Sequence, residues 1–416
     1  MLTEGKEYEA RLNRAREIVS HPGEIEKTGE NEWSVPSQSG FGRYRVVLEQ
    51  GQYECGCKDF AARLGEPCKH ILAVIELPKA QGTVAPAPRP RKQYPQHPTY
   101  TEGQTKEMRL LDALLRDLVS TVPDIPRLPG VAGAPAIPLS EGIYCAILKV
   151  YSGLSGRRAY GVYQNVADRG LLGKVPSYMV SSRFLNRPDV TPILYRLLTL
   201  SALPLAGLEE GGAVAPDSTG VQTTSFGGWR EEKHGEKRQK KWLKTHAMVG
   251  LRTHVIIQAR VLDEYSADVT QFDPLLRGTI EAGFRPSEID ADKGYLSRDN
   301  YRLASDLGLE AYIPFKSNSL SRSRGNSPSP SAWRKAFYLF QAHREEFDRN
   351  YHKRSNVESA FSALKRKFGE NIRSRTPVAQ VNEVLCKLIA YNLTVVVHEM
   401  FENGIAPEFV KQNPGA

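Results

Sequence analysis

Cysteine is scarce in this sequence, with five among 416 residues, and that excludes a fold stapled together by disulfides. Long apolar runs are missing too: Arg196 interrupts the stretch after Thr191 and Lys387 the one after Val384, so no eighteen-residue span is expected to cross a membrane. Residues 1–18 alternate acids and bases without a hydrophobic core, unlike a secretory signal. The expectation is a cytoplasmic protein. No internal repeat is present. With 40% apolar and 25% charged residues, the composition is that of a folded globular chain rather than a disordered or fibrous one. A length of 416 residues suggests two or three domains. The formal net charge of +9 points toward a polyanionic partner.

The few cysteines are unevenly placed. Cys55, Cys57 and Cys68 cluster, and with His70 they read C-x-C-x10-C-x-H. Three thiolates and one imidazole form the donor set of a closed tetrahedral Zn²⁺ site, which contributes folding energy. Cys145 and Cys386 stand in apolar helical contexts and read as core residues. An amphipathic helix is expected over 4–19. Trp33, Val35, Tyr44, Val46 and Leu48, spaced mostly by two around Gly40–Gly42, predict a small hairpin leading into Cys55. This order, with Asp59-Phe60 after the first pair and a helix opening at Cys68-Lys69-His70, resembles a SWIM zinc finger over roughly residues 30–77. SWIM domains are associated with DNA or protein binding and recur beside transposase domains.

Residues 84–98 carry five prolines and no acid, which reads as an extended linker. The expected organisation is a zinc domain over 1–80, a linker over 81–104, a helical region over 105–209, an α/β domain over 210–400 and a tail over 401–416. Met108, Leu111, Leu114, Leu115 and Leu118 mark one helix of the helical region, and residues 180–205 supply two more, broken near Pro188. Strands are expected over 213–218, 245–249, 255–261 and 289–292, with helices over 270–283, after Ser297, and over 350–368 and 378–400. An antiparallel start followed by strand and helix alternation implies a mixed sheet flanked by helices.

Asp217 and Asp292 are each expected at a strand end before a turn, where two carboxylates can hold a divalent cation through hard oxygen ligands. Asp290, two residues before Asp292, is the competing candidate. In the helix expected over 350–368, Tyr351, Arg354, Glu358 and Lys365 fall within roughly 60° of one another at about 100° per residue. Val357, Phe361, Leu364 and Phe368 form the neighbouring apolar stripe. Between residues 316 and 376 there are fourteen bases against five acids, and Arg230–Lys244 holds seven bases and three acids; beside such a constellation, phosphate contact is the expected use of that charge. Ser317–Ser331 reads as a loop without an assigned role.

These residues closely resemble the DDE transposases of bacterial insertion sequences. Tyr351, Arg354, Glu358 and Lys365 match the signature Y-x2-R-x3-E-x6-K, while Asp217-Ser218-Thr219 and Ala291-Asp292-Lys293-Gly294-Tyr295 match the two acidic motifs in order. Ser181-Arg183-Phe184-Leu185 and Pro192-Ile193-Leu194 resemble the helical segment that precedes such domains, so the likeness spans about residues 178–400. It implies an RNase H-like core. It also implies that Asp217, Asp292 and Glu358 ligate two Mg²⁺ ions, or Mn²⁺ in their place, and that Tyr351, Arg354 and Lys365 grip DNA near the cut end. The implied partners are double-stranded DNA, as terminal inverted repeats and target, and a second copy of the chain in the DNA complex; no membrane is expected. The implied setting is a prokaryotic cytoplasm, at the nucleoid. The alternatives are a metal-dependent nuclease that cuts without joining, and a catalytically silent DNA-binding regulator.

Overall fold

The structure is a computed structural model and describes residues 2–21, 25–38, 42–62, 66–81, 97–123, 137–223, 242–322 and 329–409. The chain forms two units, Met1–Pro95 and Gln96–Ala416.

In the first unit, helix α1 (Leu2–Val19) buries Ala15 and Ile18, one turn apart, against α3 (Lys69–Gln81). In place of one hairpin there are four antiparallel strands in sequence order: β1 (Glu26–Gly29), β2 (Glu32–Pro36), β3 (Arg43–Glu49) and β4 (Gln52–Cys55). Strand β1 escaped the pattern because all four of its residues are exposed. The β3–β4 turn uses Gln50 and Gly51, both at positive φ (49° and 80°), the geometry of a tight two-residue hairpin. That turn fixes Glu49 opposite Gln52, hence Val46 opposite Cys55. Register thereby delivers the first thiol to the core beside Val35 and Val46. A short α2 (Lys58–Ala62) follows.

The expected linker lies largely outside the described residues, at 82–96. Its last part is helix instead: α4 spans Pro98–Ser120 and starts before residue 105, with proline at its first position, where a missing N–H costs nothing. Helices α5 (Leu139–Ser152), α6 (Gly156–Asp168), α7 (Val180–Leu185), α8 (Val190–Ala202) and α9 (Ala206–Glu209) complete the helical region. The break falls around Pro188, as expected.

The sheet of the second unit has the order β7-β6-β5-β8-β9. Strands β5 (Ala213–Gln222), β6 (Trp242–Gly250) and β7 (Ile256–Asp263) are antiparallel, and β8 (Glu288–Asp290) and β9 (Glu310–Tyr312) run parallel to β5. Three antiparallel strands with two parallel ones added beside the first make the mixed sheet of an RNase H-like fold. Helices α10 (Phe272–Glu281), α11 (Arg298–Asp306), α12 (Ser331–Ala342), α13 (Arg344–Tyr351), α14 (Ser355–Phe368) and α15 (Pro377–Glu402) follow among the described residues.

The helical region and the sheet, read from sequence as separate domains, share one continuous core running from Leu111 to Phe409. Helix α15 ties them together. By length and composition it could cross a membrane, as could 190–209, but here it packs on α4, α5 and α8. Its Asn392, fully buried, accepts from Ile256 N (3.0 Å) and donates to Ile256 O (2.7 Å) and Ser201 Oγ (3.0 Å). An amide so satisfied locks helix to strand, whereas an apolar side chain there would leave buried backbone groups unpaired. The chain end is also less free than a tail. Phe409 is buried and its N–H donates to Asp117 at 2.8 Å, while 410–416 lie outside the described residues, as do 323–328 of the serine-rich loop and 224–241, which hold most of the second basic run.

Candidate metal centre and acidic site

Cys55, Cys57, Cys68 and His70 are all buried, and one ligand atom from each lies within 4.8 Å of the others. His70 Nδ1 stands 3.9 Å from Cys55 Sγ and 3.8 Å from Cys68 Sγ. A tetrahedron with Zn–S of about 2.3 Å and Zn–N of about 2.0 Å has S···N edges near 3.5 Å, so the cluster needs little contraction to close on an ion. Strand β4 brings the first pair and the start of α3 the second. Cys68 is held well below the usual thiol range, first by a hydrogen bond from Cys55, while Cys55 is pushed up. Tyr44 tilts against the His70 ring with centroids 4.7 Å apart. These donors fit Zn²⁺.

In the second unit the sheet register assembles the acids. Parallel strands β5 and β8 pair Val214 with Ile289, and three residues beyond each lie Asp217 and Asp292. Adjacent strands are about 4.8 Å apart, so both carboxylates arrive at one level. Asp217 does not end its strand as expected. It sits mid-strand opposite Ala247, because β6 continues to pair as far as Gln222. Asp292 lies past the end of β8 and caps a 3-10 turn, Lys293–Tyr295, accepting Lys293 N at 2.7 Å.

Glu358 comes from α14. The helix expected over 350–368 is in fact interrupted: α13 ends at Tyr351, a 3-10 turn covers His352–Arg354, and α14 begins at Ser355. At the break Lys353 pairs with Glu288 at 2.9 Å and Arg354 turns toward the sheet. Arg354 and Glu358, both beyond Tyr351, keep their four-residue pairing. Arg354 Nη2 lies 3.1 Å from Asp217 Oδ2 and its Nη1 3.2 Å from Glu358 Oε1. One guanidinium therefore bridges two of the three acids. Burial raises the Asp217 pKa above its ordinary value; the Ser218 N–H and Arg354 oppose the rise, and the charges of Asp292 and Glu358 add to it. Among the described residues the three carboxylates do not yet converge as the thiols do; Arg354 stands between two of them.

Asp217, Ser218, Glu358 and Lys365 line one open cavity of about 480 Å³. Lys365 stands 3.8 Å from Glu370. Tyr351 stacks on Phe347 with centroids 6.1 Å apart, and burial raises its pKa against the pull of Arg354.

Two further residues stand near the acids: Tyr295, which closes the second acidic motif, and His246, which the sequence pattern does not single out. Tyr295, 1% exposed, has a hydroxyl without a hydrogen-bond partner among the described residues, and its pKa is raised first by burial and then by Asp268 and Asp217. His246, opposite Ser218 on β6, is fully buried with Nδ1 3.3 Å from Asp268 Oδ1, an atom that Lys244 also approaches at 2.8 Å. A lone histidine in an apolar strand cannot be told from core by pattern.

Asp290 is fully buried in the sheet, and among the described residues its carboxyl oxygens have no hydrogen-bond partner. Burial, then the charge of Glu288, pushes its pKa up to about 8. The folded state therefore favours the neutral acid, so stability should fall as pH rises from about 4 to about 8, where the unfolded chain releases this proton and the folded chain retains it. Asp290→Asn is expected to remove that component of the pH dependence and raise the melting temperature at pH 7. Cleavage should persist. Melting curves from pH 4 to 8 check the first point; an asparagine variant that melts lower throughout would show that the carboxyl is paired rather than merely buried.

The mixed sheet, with Asp217 on its first strand, Asp292 just past its fourth and Glu358 on a helix beside them, has the layout of an RNase H-like fold. Residues 210–393 match the family described as transposase DDE domain, and residues 44–77 match the SWIM zinc finger. The chain thus carries a transposase DDE domain preceded by a SWIM zinc finger. Among solved structures it is similar to the cryo-EM structure of a piggyBac transposase synaptic complex with hairpin DNA, at 11% sequence identity and a TM-score of 0.33, covering 76% of this chain and 77% of that one.

Proposed function

We propose that the protein is a DNA transposase in which Asp217, Asp292 and Glu358 hold two Mg²⁺ ions, or Mn²⁺ in their place, and Tyr351, Arg354 and Lys365 hold DNA at the cut end. The observation that carries this reading is Arg354 lying between Asp217 and Glu358: three separate elements gather acids, and a side-chain cation occupies the place where a bound cation would be stabilised. Divalent ions held there supply charge stabilisation to the attacking and leaving oxygens of an in-line displacement at phosphorus. The chain's part is to aim hard oxygen ligands and to present cations to phosphate. Water first cuts the element's end, and the freed 3′-hydroxyl then attacks target DNA, so no covalent protein nucleophile is required. The partners are duplex DNA and, in the complex, a second copy, in a prokaryotic cytoplasm.

A strand-transfer assay tests this directly: full-length protein, MgCl₂, the DNA flanking its own gene and a supercoiled target. Joined products are expected. Cutting without joining would favour the nuclease, and binding without cutting the silent regulator.

Arg354→Ala has a distinctive expectation. Without divalent metal, the variant leaves Asp217 and Glu358 facing each other uncompensated, a loss of about 2 kcal/mol for charged hydrogen bonds. Added Mg²⁺ should restore most of the lost melting temperature. A melting temperature that Mg²⁺ does not recover would make Arg354 a structural residue.

A further inference from the structure

A cavity of about 630 Å³ lies away from the acids, between α5, α6, α7 and the segment leading into α15. Lys149, Arg157, Arg373 and Arg375 line it, and no Asp or Glu does. Among the described residues none of the four is paired with a carboxylate; Arg373 donates to Gly153 O, and Arg157 stacks over Tyr178 at 5.9 Å. The first turn of α6 holds Arg157 and Arg158 and no acid, and its N-cap Ser155 makes no side-chain cap bond. Arginines there oppose the helix dipole, which favours negative charge at an N-terminus. An anion in the cavity relieves both.

The walls are fixed. Buried Glu383 accepts Arg373 N (3.0 Å) and Ser374 N (2.8 Å), and Lys387 donates to Gly369 O (3.2 Å) and Asn371 O (2.8 Å). Each oxygen of Glu383 thus accepts from backbone, and among the described residues it pairs with none of the cavity's arginine side chains. Lys387 is held below its ordinary pKa first by burial; the charge of Glu383 opposes the fall, and those of Arg373 and Lys149 add to it.

The same segment reaches the acids. Glu370 lines the catalytic cavity and Arg373 this one, and Gln222 of β5 holds the chain between them through Glu370 O (3.0 Å) and Ile372 N (2.9 Å). Three residues span at most about 10 Å. We propose that this cavity is a backbone-phosphate site for duplex DNA, built partly from the same short segment that lines the catalytic cavity. It rests on the transposase reading and adds to it a contact outside the signature residues.

The test uses the full chain carrying Arg157→Gln and Arg375→Gln together, both being exposed residues without an ion pair among the described residues. Binding of a 30-base-pair duplex of arbitrary sequence is followed by fluorescence anisotropy against KCl concentration. Loss of two phosphate contacts should flatten the slope of log affinity against log salt by about 1.8, at about 0.9 per contact, with the melting temperature unchanged. A wild-type slope in the double variant overturns the site while leaving the transposase reading standing. Absence of salt-dependent binding by the wild type sinks both. Inorganic phosphate that raises the wild-type melting temperature, but not the variant's, with equal DNA slopes, would overturn the proposal in favour of a free small anion.

Discussion

Asp217→Asn, Asp292→Asn and Glu358→Gln are each expected to lower DNA cleavage by about a thousand-fold or more, equivalent to about 4 kcal/mol of barrier. Each replaces a carboxylate by an amide of the same shape, removing the charge needed to hold a hard divalent cation. Binding of duplex DNA should be unchanged or tighter, since one negative charge facing phosphate is gone. The structure adds a stability component to this result. Asp217 carries a raised pKa because burial and two neighbouring acids disfavour its charge, so Asp217→Asn should not destabilise the metal-free protein as losing a surface ion pair alone would suggest. Cleavage, anisotropy and melting on the same three preparations separate these components. Retention of more than a tenth of wild-type cleavage by any one variant removes that residue from the catalytic set, and Asp290→Asn, which should cut normally, is the control for Asp292.

Zinc removal is expected to produce the second large effect. Among the described residues the core of the first unit holds eleven buried apolar or sulfur-bearing residues, three of them Cys55, Cys57 and Cys68 themselves. So small a core is marginal alone, whereas a structural zinc contributes an apparent 10–16 kcal/mol of binding energy, about the same as its folding energy. Chelation by EDTA, or Cys68→Ser, should therefore unfold residues 30–77 and release α1, whose Ala15 and Ile18 belong to that core. Limited proteolysis of the full chain should then digest the first unit and leave a resistant fragment beginning near residue 97. Metal analysis should return one zinc per chain in the untreated protein. Equal resistance of the first unit with and without chelator would show that its apolar core suffices.

Much of the site was legible because it is local. The thiol and imidazole spacing names its own metal, and Arg354 with Glu358 is a four-residue pair that survives the break at Tyr351. Strand β9 and the 3-10 turn were not legible: three residues carry no periodicity, and the turn is set by where Glu288 and Asp217 hold Lys353 and Arg354. Asp290 and Asp292 differ only in tertiary surroundings, one sealed in the sheet and the other capping a turn at its edge.

Sequence alone determined the donor set of the metal centre, the order of the acidic motifs, the mixed sheet and the excess of positive charge, since each is written in residue type and spacing. The tertiary structure decided what depends on distant partners meeting. The β5–β8 register levels Asp217 with Asp292, Asn392 merges the helical region with the sheet, and Arg354 lies between two acids. The gathering of Lys149, Arg157, Arg373 and Arg375 around one cavity is also of this kind, because these cations stand on elements more than two hundred residues apart and only packing brings them together.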